Sequence, residues 1–385
     1  MIKRIAAYIK IGGLPFLLLI VALILNHRQG YITLIGLFSI LVFATVTIRR
    51  KLDKGSVVIC AYSIFYISFS YFNGFTYSMS ALALFAIAPF FFYQFGKDIV
   101  RRYKTENYIV IAWFIIVLCY CLDIFYVTIN YIIETGQFIN LQRDFFFSAN
   151  DSVTKFSATV VGLSMDIGMI GLPMFILSKN TPMRISFMTL FLLSLITTFS
   201  LLNRTGIIVA GLCFLIVMAY RTRKDLKLFL LSLAVIVLLI WVLFYFGIIN
   251  PELIDLYRER NSDLSTMGTR TERWSEALGY LFTHPFGWAD YGQTYYVHNM
   301  WLDIARISGI IPFSLLAYMA IDSFRNAFKL IKRNESPLSY MILGLNVCFF
   351  ASCFVEPIFG GTHMMLYCML WGTSIGLLNI NYKAQ

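Results

Sequence analysis

The chain has 385 residues and a formal net charge of +11, with 59% hydrophobic residues, 17% aromatics, only 13% charged residues and a mean hydropathy of +0.74. A soluble globule of this make-up would leave large apolar patches in water, which such proteins avoid. A soluble enzyme is therefore excluded, and an all-α polytopic integral membrane protein is expected.

A spanning helix needs roughly 17 to 25 mainly apolar residues. Taken in chain order, such runs lie at 11–25, 31–48, 55–72, 81–95, 108–129, 158–178, 186–203, 205–220, 228–249, 299–321, 339–355 and 364–381. The first, fourth and eighth are short, so ten to twelve spans are expected. The first run ends without a small-residue cleavage site and reads as a retained span that also targets the chain. Lys and Arg gather in alternate loops, as the positive-inside rule requires. With the N-terminus in the cytoplasm, 22 of them fall inside and 8 outside, and Arg306 lies within a span. That distribution suits a bilayer as partner and argues against nucleic acid. It gives an N-in, C-in topology and a single membrane domain over 1–385, with two larger outer excursions at 130–157 and 250–298. All seven cysteines fall in apolar runs with no disulfide or zinc spacing, and Cys119 and Cys121 read as core filler.

Polar residues that intrude on this pattern are the functional candidates. Arg204 stands in a very tight turn between two apolar runs, flanked by Asn203 and Thr205. A cation at membrane depth costs roughly 2.5 to 3.5 kcal/mol on insertion scales, so it is paired, functional, or snorkelling to the headgroups. Gly206 beside it permits close approach of a bulky partner. Asp123, Asp166 and Glu356 are carboxylates within or at the ends of spans, each either a functional group or the partner of a buried arginine.

The densest cluster lies in 251–299, which carries Arg258, Arg260, Arg270, Arg273, Trp274, His284, Tyr295 and His298-Asn299. Thr269-Arg270-Thr271-Glu272 matches a capping box, and the pattern predicts a helix from Arg270 to about His284, stopped by Pro285. Arg270, Arg273, Trp274, Ala277, Leu278 and Leu281 share one broad face of it. Arginine in a first turn opposes the helix dipole unless an anion sits there too. A phosphate held by the helix N-terminus with Arg270 and Arg273 resolves the conflict; contact with lipid headgroups or solvent is the plainer alternative. His298 is the candidate general base, with small residues Ala305 and Gly309 below it leaving room for a substrate or a close neighbouring helix. A packing histidine is the alternative there, and His284 reads first as a helix terminator. Arg306 is expected to pair with Asp303, one turn away.

The order Asn203-Arg204-Thr205-Gly206, Arg270-x-x-x-Trp274, His284-Pro285-x-Gly287, then His298-Asn299-x-x-Leu302 and Gly309 resembles the O-antigen polymerase and ligase superfamily. The motif-bearing region runs from about 200 to 312. One departure is local: Trp288-Ala289-Asp290 follows Gly287 where the family often has further glycines. The resemblance implies a C-class glycosyltransferase that moves a glycan from an undecaprenyl pyrophosphate carrier to an acceptor at the outer face of the bacterial cytoplasmic membrane, without a metal ion or cofactor. It implies catalytic roles for His298, Arg204 and Arg270, and substrate contacts for Arg273, Trp274, Asn299, Arg258, His284, Glu356 and Tyr295. A polymerase of lipopolysaccharide O-antigen or capsule repeat units is the expected activity. A ligase delivering polymer to a lipid A core sugar is the alternative within the resemblance, and a flippase of lipid-linked oligosaccharide the alternative outside it. Accompanying proteins would be a chain-length regulator and a flippase.

Overall fold

Most of the apolar runs fold as helices, and breaks within them fall where glycine or proline interrupts the pattern. The computed structural model describes residues 2–24, 52–74, 87–140, 144–149, 152–222, 270–289, 297, 299–355 and 362–380, with single positions between 227 and 255. The elements are α1 (Ile2–Ile24), α2 (Lys54–Phe72), α3 (Ala88–Tyr103), α4 (Glu106–Thr135), strands β1 (Asp144–Ala149) and β2 (Ser152–Ser157), α5 (Ala158–Gly168), α6 (Gly171–Leu177), α7 (Thr181–Ser200), α8 (Arg204–Thr222), α9 (Arg270–Thr283), α10 (Met300–Ser308), α11 (Ile310–Arg333), α12 (Pro337–Val355) and α13 (Thr362–Asn379). Four described helices are long and apolar enough to cross a membrane, at Lys54–Phe72, Glu106–Thr135, Thr181–Ser200 and Pro337–Phe354, with shorter apolar stretches of helical chain at Gly13–Ile24, Gly162–Leu177 and Arg204–Ala219. The expected span at 31–48 lies outside the described residues, as does most of that at 228–249.

Three runs differ from the pattern read in sequence, each for a local reason. The run at 158–178 is not one helix but α5 and α6, separated at Met169 and Ile170. Gly168 and Gly171 bracket the break, and a Cβ on Gly171 would lie 2.5 Å from the Phe187 carbonyl oxygen of α7. The run at 299–321 is likewise split, by Gly309 at φ 83°. The cations Lys97, Arg101 and Arg102, expected in a loop, lie on α3, which continues to Tyr103 before Lys104 turns left-handed at φ 54°. These side chains stay on the helix because carboxylates meet two of them: Lys97 pairs with Asp53, and Arg102 with Asp98. The excursion at 130–157 contains extended chain as well, since β1 and β2 form an antiparallel hairpin pairing Asp144 with Ser157.

Packing is closest between α3 and α13. A Cβ on Gly96 would lie 2.0 Å from the Met369 carbonyl oxygen, and one on Gly372 2.0 Å from that of Tyr93. Gly372 and Gly376 form a small-x-x-x-small stripe that brings the two backbones together, as membrane helices do in place of a hydrophobic driving force. Asp53 joins α2 to the same unit. Its Oδ1 accepts from the Ser56 amide (2.9 Å) and hydroxyl (2.7 Å), capping α2, while Oδ2 accepts from the Tyr93 hydroxyl (3.0 Å) and the Lys97 ammonium. Burial raises the Asp53 carboxyl, but the bonds from Lys97 and Ser56 outweigh it and hold the group below the usual carboxylate range. The cysteines follow the sequence reading: Cys119 and Cys121 are buried, and all seven are free thiols.

Candidate active site

Helix α9 forms as the spacing predicts, starting at Arg270 and ending at Thr283 before Pro285. Its apolar face docks on α10, with Ala277, Leu281, Trp288, Val297, Leu302 and Ala305 making a small core separate from the main one. The Trp274 indole N–H donates to the Val297 carbonyl oxygen at 3.0 Å. On the other side of the same segment, Asn299 caps α10: its Oδ1 accepts from the Leu302 amide at 3.2 Å, and its Nδ2 donates to the Phe354 carbonyl oxygen at 3.1 Å. The Val297 amide donates to Asp303 Oδ1 at 3.0 Å, and Arg306 Nε donates to the same oxygen at 3.3 Å. The Asp303–Arg306 pair expected from spacing is thus present, and it secures the chain at Val297.

Val297 and Asn299 are both buried and each is fixed by hydrogen bonds from neighbouring elements. His298, Tyr295, Arg258 and Glu356 themselves lie outside the described residues, as does the side chain of Arg270. Arg273 is half-buried beside Trp274, and the Trp274 ring meets that of Phe354 edge-on at 6.1 Å. Glu356 follows Phe354 by two positions. The structure thus brings together Arg273, Trp274, Asn299 and the C-terminal end of α12.

The small residue Gly309 is met by a close neighbouring segment of the chain. The turn after α9 inserts at the α10–α11 break, where the Ile310 amide donates to the Pro285 carbonyl oxygen (2.9 Å) and the Trp288 amide to that of Arg306 (2.8 Å). A Cβ on Gly309 would lie 2.2 Å from the Pro285 oxygen. His284 half-buries against Tyr280, with ring centroids 5.2 Å apart, one position past the end of α9. Gly287, at φ 110°, supplies the turn without the further glycines, and Trp288 fills the small core instead.

Asn73, which nothing in the sequence reading singled out, secures this turn. At the C-terminal end of α2, its Nδ2 donates to the carbonyl oxygens of Phe286 (2.7 Å), Ile307 (3.0 Å) and Phe69 (2.9 Å), so one amide ties three segments together. The only sequence signal was an Asn-Gly pair ending an apolar run. Asn73→Ala is expected to lower stability by about 0.5 to 1.5 kcal/mol, because three partly exposed carbonyls lose their donor. A melting scan in detergent checks this, and Asn73→Asp should melt lower still, since a carboxylate would face the same three oxygens.

Arg204 begins α8 with its side chain exposed. The preceding turn is tight, as expected: Leu202 has φ 50°, and Asn203 Oδ1 accepts from the Thr205 amide at 3.0 Å. Gly206 meets Thr198, 2.8 Å from where a Cβ would stand, with Asp166 Oδ1 at 3.4 Å, so its small size serves helix packing. Cys213 and Val217 both lie against Gly344, and Cys213 also against Cys348. Those pairings make α8 and α12 antiparallel, which puts Arg204 at the end of the bundle that carries Phe354.

An apolar groove of about 950 Å³ opens beside Trp274 and Asn299 and runs between α9, α10, α11 and α12. Among the described residues no group of His, Cys, Asp or Glu is arranged to hold a metal ion.

Residues 189–317 match the family model Wzy_C, described as O-Antigen ligase. The chain carries a domain of the O-antigen polymerase and ligase superfamily. The Wzy_C segment starts within α7 and ends within α11, so it spans Arg204, α9, the turn at Pro285 and the capping residue Asn299. Of the residues given catalytic or substrate-contact roles by the resemblance, only Glu356 falls outside the Wzy_C segment. No curated protein matches the chain.

Proposed function

We propose that the chain is a repeat-unit polymerase, transferring a growing glycan from undecaprenyl pyrophosphate to another lipid-linked repeat unit at the outer face of the cytoplasmic membrane. The observation that carries this reading is the Trp274 to Val297 hydrogen bond, which draws the Arg270-x-x-x-Trp274 motif against the segment bearing His298. On this reading the cations at the start of α9 and the imidazole of His298 serve one reaction, transfer from a diphosphate to an alcohol. The acceptor hydroxyl oxygen attacks the anomeric carbon, the bond from that carbon to the diphosphate oxygen breaks, and the hydroxyl proton passes to His298. Arg270, Arg273 and Arg204 stabilise the charge that collects on the departing diphosphate in place of a metal ion.

Asn299 acts by position, since its amide is engaged by Leu302 and Phe354 on either side. Arg258, Tyr295 and Glu356 are assigned to substrate contact by the family resemblance, with Tyr295 and Trp274 as candidate platforms for pyranose rings. N-in, C-in topology with 250–298 outside is part of this reading, as are an undecaprenyl-pyrophosphate-linked oligosaccharide as donor and a chain-length regulator and flippase as accompanying proteins. The family description favours one second reading, a ligase that delivers polymer to a lipid A core sugar.

Purified protein supplied with lipid-linked repeat units, and with no core acceptor, separates the two. Lengthening of the lipid-linked product is expected. His298→Ala, Arg270→Ala and Arg204→Ala should each reduce it by about 100-fold or more. Transfer only when core is added would establish the ligase, and full-length surface polymer in cells carrying any of the three expressed variants would remove that residue from the site. Accumulation of unpolymerised repeat units on the inner face in the His298→Ala strain would point to a flippase instead.

A further inference from the structure

The groove beside the site has two unlike ends. Its mouth at Trp274 and Asn299 is aromatic and uncharged, whereas its far end is lined by Arg325, Lys329 and Lys332. These three stand on the same stripe of α11 as the groove walls Phe324 and Phe328, at spacings of three, four and seven residues, so they border the groove rather than pointing away from it. Helix α11 has 24 residues, about 36 Å at 1.5 Å per residue, enough to carry the groove from one face of a bilayer to the other.

No acidic side chain lines the groove among the described residues. Asp322, the nearby carboxylate on α11, is turned onto α13, where its Oδ2 accepts from the Trp371 indole N–H (2.9 Å) and from the Asn326 amide (2.9 Å). Arg333 is also committed, donating to the carbonyl oxygens of Leu378 (2.8 Å) and Ile380 (2.9 Å) at the end of α13. Arg325, Lys329 and Lys332 are exposed at the rim of an apolar cleft. A carrier lipid held at the Trp274 mouth has its charge there and ends in hydrocarbon, which gives three cations at the opposite rim nothing to meet.

We infer that the far half of this groove is a binding site for an anionic phospholipid of the inner leaflet, its phosphate held by Arg325, Lys329 and Lys332 and its acyl chains laid along Phe324, Phe328 and Phe350. Basic clefts between helices on the cytoplasmic side suit such headgroups, which also carry the opposite charge. The assignment rests on the N-in topology and not on the glycosyltransferase chemistry.

The full chain is reconstituted in nanodiscs of phosphatidylethanolamine with phosphatidylglycerol, extracted into mild detergent, and the retained lipids identified by native mass spectrometry. Phosphatidylglycerol should be enriched several-fold over its share in the disc. The enrichment should fall in each of Arg325→Gln, Lys329→Gln and Lys332→Gln, and should vanish in the triple variant at unchanged melting temperature. Lys104→Gln, an inner-face cation outside the groove, should leave it intact. If the triple variant melts early, the single Lys329→Glu, at an exposed position, must still lower the enrichment. Equal retention of the two lipids by the unaltered chain would overturn the proposal, as would a triple variant that still selects phosphatidylglycerol. Retention of undecaprenyl phosphate without any such preference would also overturn it and assign the whole groove to the carrier.

Discussion

Gly309→Leu is expected to be the most damaging single change in the α9 to α11 region, lowering stability by about 3 kcal/mol or more. Two independent effects add at this position. The backbone sits at φ 83° and ψ −174°, a conformation open almost only to glycine. A Cβ would also stand 2.2 Å from the Pro285 carbonyl oxygen, and that oxygen belongs to backbone, which cannot swing aside as a side chain can. Relieving the overlap means expelling the Pro285 turn, which breaks the bond from the Ile310 amide and strands the Arg306 and Ile307 carbonyls. The variant should therefore melt earlier and also lose glycan elongation. Gly136→Leu is the matched control: it too sits at positive φ, 66°, but a Cβ there meets nothing within 4 Å. A Gly309→Leu protein that melts no earlier than Gly136→Leu would show that the turn does not depend on the close approach.

Trp274→Ala is expected to reduce elongation by about 100-fold while leaving the bundle folded. Trp274 packs at the edge of the small α9–α10 core and edge-on to the exposed Phe354, so its loss leaves the main core untouched. What it removes is the tether between α9 and Val297, and a misplacement of about 1 Å between reacting groups is enough for a hundredfold loss. Trp274→Phe separates the tether from the ring. Phenylalanine can keep the edge-on contact with Phe354 but cannot donate to the Val297 oxygen, so its rate should fall between those of the unaltered chain and Trp274→Ala. A ladder of lipid-linked products made by purified protein reads all three. If Trp274→Ala elongates at the unaltered rate, α9 need not be docked for the reaction and the proposed site loses its main support.

Most helix positions could be read from the chain, because hydrocarbon permits few ways to satisfy a backbone other than a helix, and an apolar run announces one. Helix α9 was legible for a different reason. Its amphipathic spacing and the proline that ends it are local signals, and local signals survive without knowledge of the rest of the fold. The break at Gly309 was not legible in this way. An apolar run with one glycine reads as continuous, and only the arrival of the Pro285 turn supplies hydrogen bonds for the backbone that the break exposes. Asn73 was invisible for the same reason, since its three acceptors lie in its own helix, in the loop after α9 and in α10.

Sequence alone determined that this chain belongs in a bilayer, roughly where most of the described helices lie, and which cations and histidines stand apart from the apolar pattern. Those are properties of composition and of neighbours three or four positions apart. The tertiary structure decided which of the singled-out residues meet. It set Trp274 against Val297, gave Asn299 to the α10 cap, placed Arg204 at the Phe354 end of the bundle, seated the Pro285 turn against Gly309, and left a groove with charge at one end only. Such meetings depend on helix packing between segments dozens to hundreds of residues apart, and hydrophobic periodicity carries no information about which face finds which partner.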